Sequence, residues 1–110
     1  MQDAPNFRLD GRAALITGAG RGIGLGITRA LASVGCAVAM ADVDLDVARQ
    51  EAARIEAEGG KAIAIHGDIM LISSAKEMID ATVAQFGQLD ILVNNAAIQS
   101  TVHWTEQNAE

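Results

Sequence analysis

Eight residues near the start of the chain constrain it most: Thr17, Gly18, Ala19, Gly20, Arg21, Gly22, Ile23 and Gly24. Ahead of them runs Ala13–Ile16, a short apolar stretch that reads as a buried strand. Behind them Ile23, Ile27, Ala30, Leu31 and Val34 share one face at helical spacing. Strand, glycine-rich turn and helix in that order make a βα unit. Glycines let such a turn close tightly. The N–H groups and positive dipole end of the following helix then meet at one point, which suits a dinucleotide pyrophosphate. The same glycines would also serve a plain flexible turn, so the rest of the chain decides between the two.

The alternation continues. Gly35 is placed to stop the first helix, and Ala37–Ala41 is a second apolar strand ending in Asp42. Leu45, Ala48, Ala52 and Ile55 form the apolar face of a second helix, with Arg49, Glu51, Arg54, Glu56 and Glu58 mostly off it on a solvated side. Gly59 and Gly60 end that helix, and Ala62–Ile65 is a third strand closing at Gly67 and Asp68. The spacing of Ser74 and Glu77 predicts a capping box and a third helix from Ala75, burying Ala75, Met78, Ile79, Thr82 and Phe86. Gly87 stops it, and Leu89–Val93 reads as a fourth strand leading into Asn94, Asn95, Ala96 and Ala97. Residues 98–110 are polar and aperiodic, with a helix start near Thr105.

Four strands joined by three helices imply a parallel sheet. Right-handed crossovers then favour a doubly wound, Rossmann-type order of 3-2-1-4, with residues 1–110 as one α/β domain. That order sets the loop at 17–24 and the stretch at 94–97 beside one crevice, where such sheets bind ligands.

Composition narrows the partners. The net charge of −6 argues against a nucleic-acid or anionic-membrane surface, which needs clustered Lys and Arg. Cys36 is the single cysteine, so no internal disulfide or cysteine-based zinc site can form, and it reads as a small buried hydrophobe. His66 and His103 lack the companions of a metal site. Residues 1–5 show neither the basic nor the apolar region of a secretory leader, and no apolar run is long enough to span a membrane. The expected compartment is the cytoplasm.

The pattern T-G-x-x-x-G-x-G at Thr17–Gly24 resembles the cofactor loop of the short-chain dehydrogenase/reductase family. The resemblance extends through Arg8–Arg12, Asp42, Asp68 and Leu89–Ala96, covering about residues 7–99. It implies a cofactor site made of Thr17, Gly18, Gly20, Arg21, Gly22, Ile23, Gly24, Asp42, Val43, Asp68, Ile69, Asn95, Ala96 and Ala97. Asp42 also follows the loop at the roughly 20-residue distance at which an acid meets the adenosine ribose hydroxyls, although a turn or cap acid would fit the same place. In the family an acid here implies NAD. Arg21 leans toward NADP, and Val43 supplies no base for a 2′-phosphate. Asp68 and Ile69 resemble the pair that positions the adenine, and an acid in a turn is the plain alternative for Asp68.

The chain departs from the family in three places. Ala97 stands where a glycine is usual, and Met70, Leu71 and Ile72 replace a small polar pair. Family catalysis uses a Ser, a Tyr and a Lys with an assisting Asn, yet this chain has no tyrosine, and its lysines are Lys61 and Lys76. No catalytic residue is therefore assigned. The expectation is the NAD-binding part of an oxidoreductase exchanging hydride with an alcohol or ketone, inactive as these 110 residues alone, with the substrate met only in a longer parent. A homo-oligomer is the expected assembly. The rival from another class is a non-catalytic NAD-binding or interaction module. An S-adenosylmethionine methyltransferase core fits less well, because Thr17 rather than an acid ends the first strand.

Overall fold

The computed structural model describes residues 7–68 and 72–95. Its elements alternate along the chain: β1 (Ala13–Thr17), α1 (Gly22–Ser33), β2 (Ala37–Asp42), α2 (Leu45–Ala57), β3 (Ala62–His66), α3 (Ile72–Phe86) and β4 (Ile91–Val93). All strand pairs are parallel, and the sheet order is β3-β2-β1-β4, the expected order. The register sets Ala14 opposite both Val38 and Ile91, so β1 is central and β2 lies on one side of it and β4 on the other.

The strand sequences follow from this position. β1 is buried at every residue and β2 at all but its first, because helices cover both faces. One core layer joins Ala14, Ile16, Val38 and Met40 to Leu25 and Leu31 of α1 and to Ala48, Ala52 and Ile55 of α2. The other joins Leu15, Ala39 and Ala41 to Met78, Ala75 and Phe86 of α3. Leu15, Ile16 and Met40 are fully buried, each stabilising the fold by about 1.5–3 kcal/mol. Cys36 is buried just before β2, as its apolar surroundings predict, and burial pushes its thiol pKa up. No described helix is long and apolar enough to cross a membrane.

Several local expectations are corrected. α1 buries Gly24 and Thr28 rather than Ile23 and Ala30, which are exposed. The seat of Gly24 against the glycine loop sets the helix phase and turns Ile23 outward, 71% exposed. α3 begins at Ile72, so Ser74 lies inside the helix and does not cap it. Its hydroxyl instead accepts the Asp68 N–H at 2.9 Å, fastening the end of β3. Ile79 of α3 is exposed rather than covered, and Val83 beside it is exposed as well.

Glu51 is buried, not solvated, because Arg29 of α1 and Arg54 reach it at 3.3 and 3.1 Å. β4 is shorter than expected, with Leu89 packed in the second core layer before the strand begins. Helix ends are as read: Gly35, Gly59 and Gly87 follow α1, α2 and α3 with positive φ. The predicted helix near Thr105, like Trp104 and His103, lies outside the described residues.

Candidate functional site

The candidate site stands where β1, β2, β3 and β4 end and α1 begins. β1 closes at Thr17, and the chain turns through Gly18 at φ 61, a left-handed conformation that costs glycine nothing. Ala19 N–H then donates to the Ala41 carbonyl at 3.1 Å, so the loop is tied to the end of β2. α1 starts at Gly22. Its N-cap, Arg21, is extended, and its side chain makes no capping hydrogen bond to the helix. The first-turn N–H groups thus have no side-chain cap, and the helix has its positive end at the loop. That end is suited to an anion.

Close approach explains Gly24. A Cβ there would run into the Gly18 carbonyl oxygen and come within 2.9 Å of Asn95 Nδ2. Asn95 is buried, and its Nδ2 donates to that same Gly18 carbonyl at 3.4 Å. Thr17 Oγ1 lies 3.4 Å from the Val93 carbonyl and 3.3 Å from Asn94 Oδ1; its one proton serves one of them at a time. The end of β4 is therefore fastened to the glycine loop by Thr17, Asn94 and Asn95.

Asp42 ends β2 and is buried. Its Oδ2 accepts the Gly20 N–H at 2.9 Å, and its Oδ1 accepts the Asp44 N–H at 2.9 Å. The Gly67 N–H donates to the Asp42 carbonyl at 3.2 Å, which brings Asp68 to the same end of the sheet. Asp44 was not singled out from the sequence, although its place just before Leu45 is an N-cap signal. Asp44 caps α2, Oδ1 accepting from Val47 N–H at 3.2 Å. Its Oδ2 pairs with Arg21 at 2.9 Å across the mouth of the crevice. Val43 beside them is exposed.

The structure thus gathers Thr17, Gly18, Gly20, Arg21, Gly22, Ile23, Gly24, Asp42, Val43, Asp68 and Asn95 at one end of the sheet. Ile69, Ala96 and Ala97 lie outside the described residues. A concavity of about 820 Å³ is at the opposite end, lined among others by Arg12, Ala37, Ala62, Gly35, Gly59 and Phe86. There the helices present their C-terminal carbonyls, which repel an anion. Among the described residues no group of three or more His, Cys, Asp or Glu is placed to hold a metal ion.

These groups fit an adenine dinucleotide. The loop backbone is open at Gly22, where nothing lies within 4 Å of a Cβ, the N-cap of the adjoining helix supplies no side-chain cap, and an acid closes the neighbouring strand. Both Asp42 oxygens already accept one backbone N–H each, yet a carboxylate has about four lone-pair sites, so acceptor capacity remains for ribose hydroxyls.

Comparison with known proteins agrees with this geometry. The family model described as short chain dehydrogenase matches residues 12–110. The 7alpha-hydroxysteroid dehydrogenase of Escherichia coli (strain K12) is 40% identical over 96 residues, spanning 87% of this chain and 38% of that protein. Galactitol 2-dehydrogenase of Agrobacterium fabrum is 45% identical over 92 residues, spanning 84% of this chain and 35% of that protein. A crystal structure of the hydroxysteroid dehydrogenase from Escherichia coli superposes with a TM-score of 0.79 at 39% identity, covering 81% of this chain and 38% of that one. A 7 alpha-hydroxysteroid dehydrogenase complexed with NADH and 7-oxo glycochenodeoxycholic acid gives the same TM-score of 0.79 at 39% identity, over 81% of this chain and 35% of that one. The chain therefore spans less than two fifths of the length of these relatives.

Proposed function

The chain belongs to the short-chain dehydrogenase family, and we propose that it forms the NAD-binding part of an oxidoreductase acting on an alcohol or ketone. The observation that carries this reading is the uncapped N-terminus of α1 facing a glycine loop, with the Asp42 carboxylate at the end of the adjacent strand. The first-turn N–H groups at Gly22, Ile23 and Gly24 bind the pyrophosphate. Asp42 accepts from the adenosine ribose hydroxyls, and Asp68, with Ile69, receives the adenine. Asn95, Ala96 and Ala97 run along the cofactor. The nicotinamide ring, when bound, supplies the hydride chemistry. Residues 1–110 act as a single dinucleotide-binding domain in this reading.

The chain's recognised groups all address the adenosine diphosphate half of the cofactor. It has no tyrosine to hold or move the proton at the substrate oxygen. ADP-ribose is therefore expected to bind these 110 residues within a few-fold of NAD, a difference of about 1 kcal/mol or less. No NADH should accumulate with any alcohol. Calorimetry with both ligands and an absorbance assay for NADH check the two parts. Failure to bind ADP-ribose would remove the reading, and NADH formation would assign the proton transfer to another residue. The absence of tyrosine equally favours a second reading, a non-catalytic NAD-binding module. A Y-x-x-x-K motif in the reading frame downstream would decide for the enzyme.

A further inference from the structure

Arg21 is the one base of the glycine loop, and its side chain is 69% exposed at the crevice mouth. It does not project freely. Its guanidinium lies 2.9 Å from Asp44 Oδ2. Asp44 is itself held twice, with Oδ1 accepting the Val47 N–H at 3.2 Å and its own N–H donating to Asp42 Oδ1 at 2.9 Å. The α2 cap and the end of β2 therefore fix Asp44, and Asp44 fixes Arg21. One base faces two acids in this cluster. A phosphate on the ribose 2′-oxygen would have to draw Arg21 away from Asp44 and approach both carboxylates.

We propose that Asp44 is a specificity-determining residue, which holds Arg21 in an ion pair and so withholds it from 2′-phosphorylated adenosine nucleotides. This rests on the adenosine-binding reading given above. Asp42 disfavours a 2′-phosphate by its own charge. Asp44 acts through Arg21, turning the base of the glycine loop into the partner of a cap residue.

Asp44→Asn separates the charge from the cap, because Asn caps a helix about as well as Asp. The probes are ADP-ribose and 2′-phospho-ADP-ribose, titrated by calorimetry at low and physiological salt. In the variant, the ratio of the two dissociation constants should move roughly threefold to tenfold toward the 2′-phosphorylated ligand, a modest factor because the pair is partly exposed and screened. The gain should shrink as salt rises, and should be smaller when Asp44→Asn is made on an Arg21→Gln background, where only the direct repulsion by the Asp44 carboxylate is removed. Asp44→Ser, a second neutral cap, should reproduce the shift, and thermal melting of all variants should stay close to that of the parent. An unchanged ratio in both neutral variants, or an equal gain without Arg21, would overturn the role of Asp44 alone. Absence of ADP-ribose binding by the parent chain would overturn the adenosine-binding reading and this inference with it.

Discussion

The Asp42 carboxylate clamps the Gly20 backbone: Oδ2 accepts its N–H at 2.9 Å, while the other oxygen holds the N–H of Asp44. A strand-end acid thus shapes the glycine loop before any ligand arrives. A Cβ on Gly20 would come within 2.9 Å of both Asp42 Oδ2 and Val47 Cγ1, so the clamp also demands a small residue there.

Asp42→Ala should cost stability as well as binding. Two backbone N–H groups lose a charged acceptor, each such bond contributing about 1.5–3 kcal/mol. Relief by water at the crevice mouth reduces the sum, and a loss of about 2–4 kcal/mol is expected in urea unfolding. In the parent chain, NADP should bind roughly fivefold to thousandfold more weakly than NAD, since two unit charges at 4 Å repel by about 1 kcal/mol in water and about 4 at a protein surface. Equal affinities in a fluorescence titration would remove Asp42 from the ribose role.

Two glycines of α1 should answer alanine in opposite ways. Gly24→Ala drives a Cβ into the Gly18 carbonyl and toward Asn95, and overpacking of this kind costs about 1–3 kcal/mol. Gly26 is helical and exposed, with nothing within 4 Å of a Cβ. Gly26→Ala should stabilise by about 0.5–1 kcal/mol. Paired denaturation curves check the contrast, and a neutral Gly24→Ala would show that the loop yields.

Acid sensitivity should centre partly on Asp90. Its carboxylate accepts the Ala13 N–H at 2.9 Å, receives Gln88, and faces Arg12 at 3.4 Å. The Ala13 N–H foremost, then Gln88 and Arg12, hold its pKa below the ordinary carboxylate value. A folded pKa lowered in this way contributes stability that is present above the unfolded value of about 4 and is lost as pH falls through the folded value. Asp90→Asn should flatten the fall in stability below pH about 4 and leave the slope near neutrality unchanged. An identical acid limb in urea melts of parent and variant would refute this.

The outer edge of β4 has no strand partner among the described residues, and Leu92 on it is 55% exposed beside a sheet whose central strands are fully covered. Exposed Ile79 and Val83 of α3 add apolar surface. An uncovered parallel edge of this kind invites pairing with another chain. The 110-residue chain should self-associate at tens of micromolar in sedimentation. Leu92→Lys should shift it toward monomer. A parent chain that stays monomeric would contradict the expectation of a homo-oligomer.

The strand order and the glycine crevice were legible in the sequence because they rest on local periodicity and on the fixed hand of crossovers. Ala13–Ile16 and Ala37–Ala41 announce strands covered on both faces, and Gly18 and Gly24 mark the loop by spacing alone. The site's electrostatics were not legible. Arg21 and Asp44 are 23 residues apart, and whether they meet depends on how the loop and the α2 cap are set by Asp42. Glu51 reads as a solvated acid until α1 brings Arg29 to it, and Ser74 reads as a cap until the fold places its hydroxyl under the Asp68 N–H. Ile23 fits a helix face by spacing, yet the steric seat of Gly24 turns it to solvent. Periodicity records which face a residue shares; the partner of a charge or hydroxyl is decided only when distant segments close to within hydrogen-bond range.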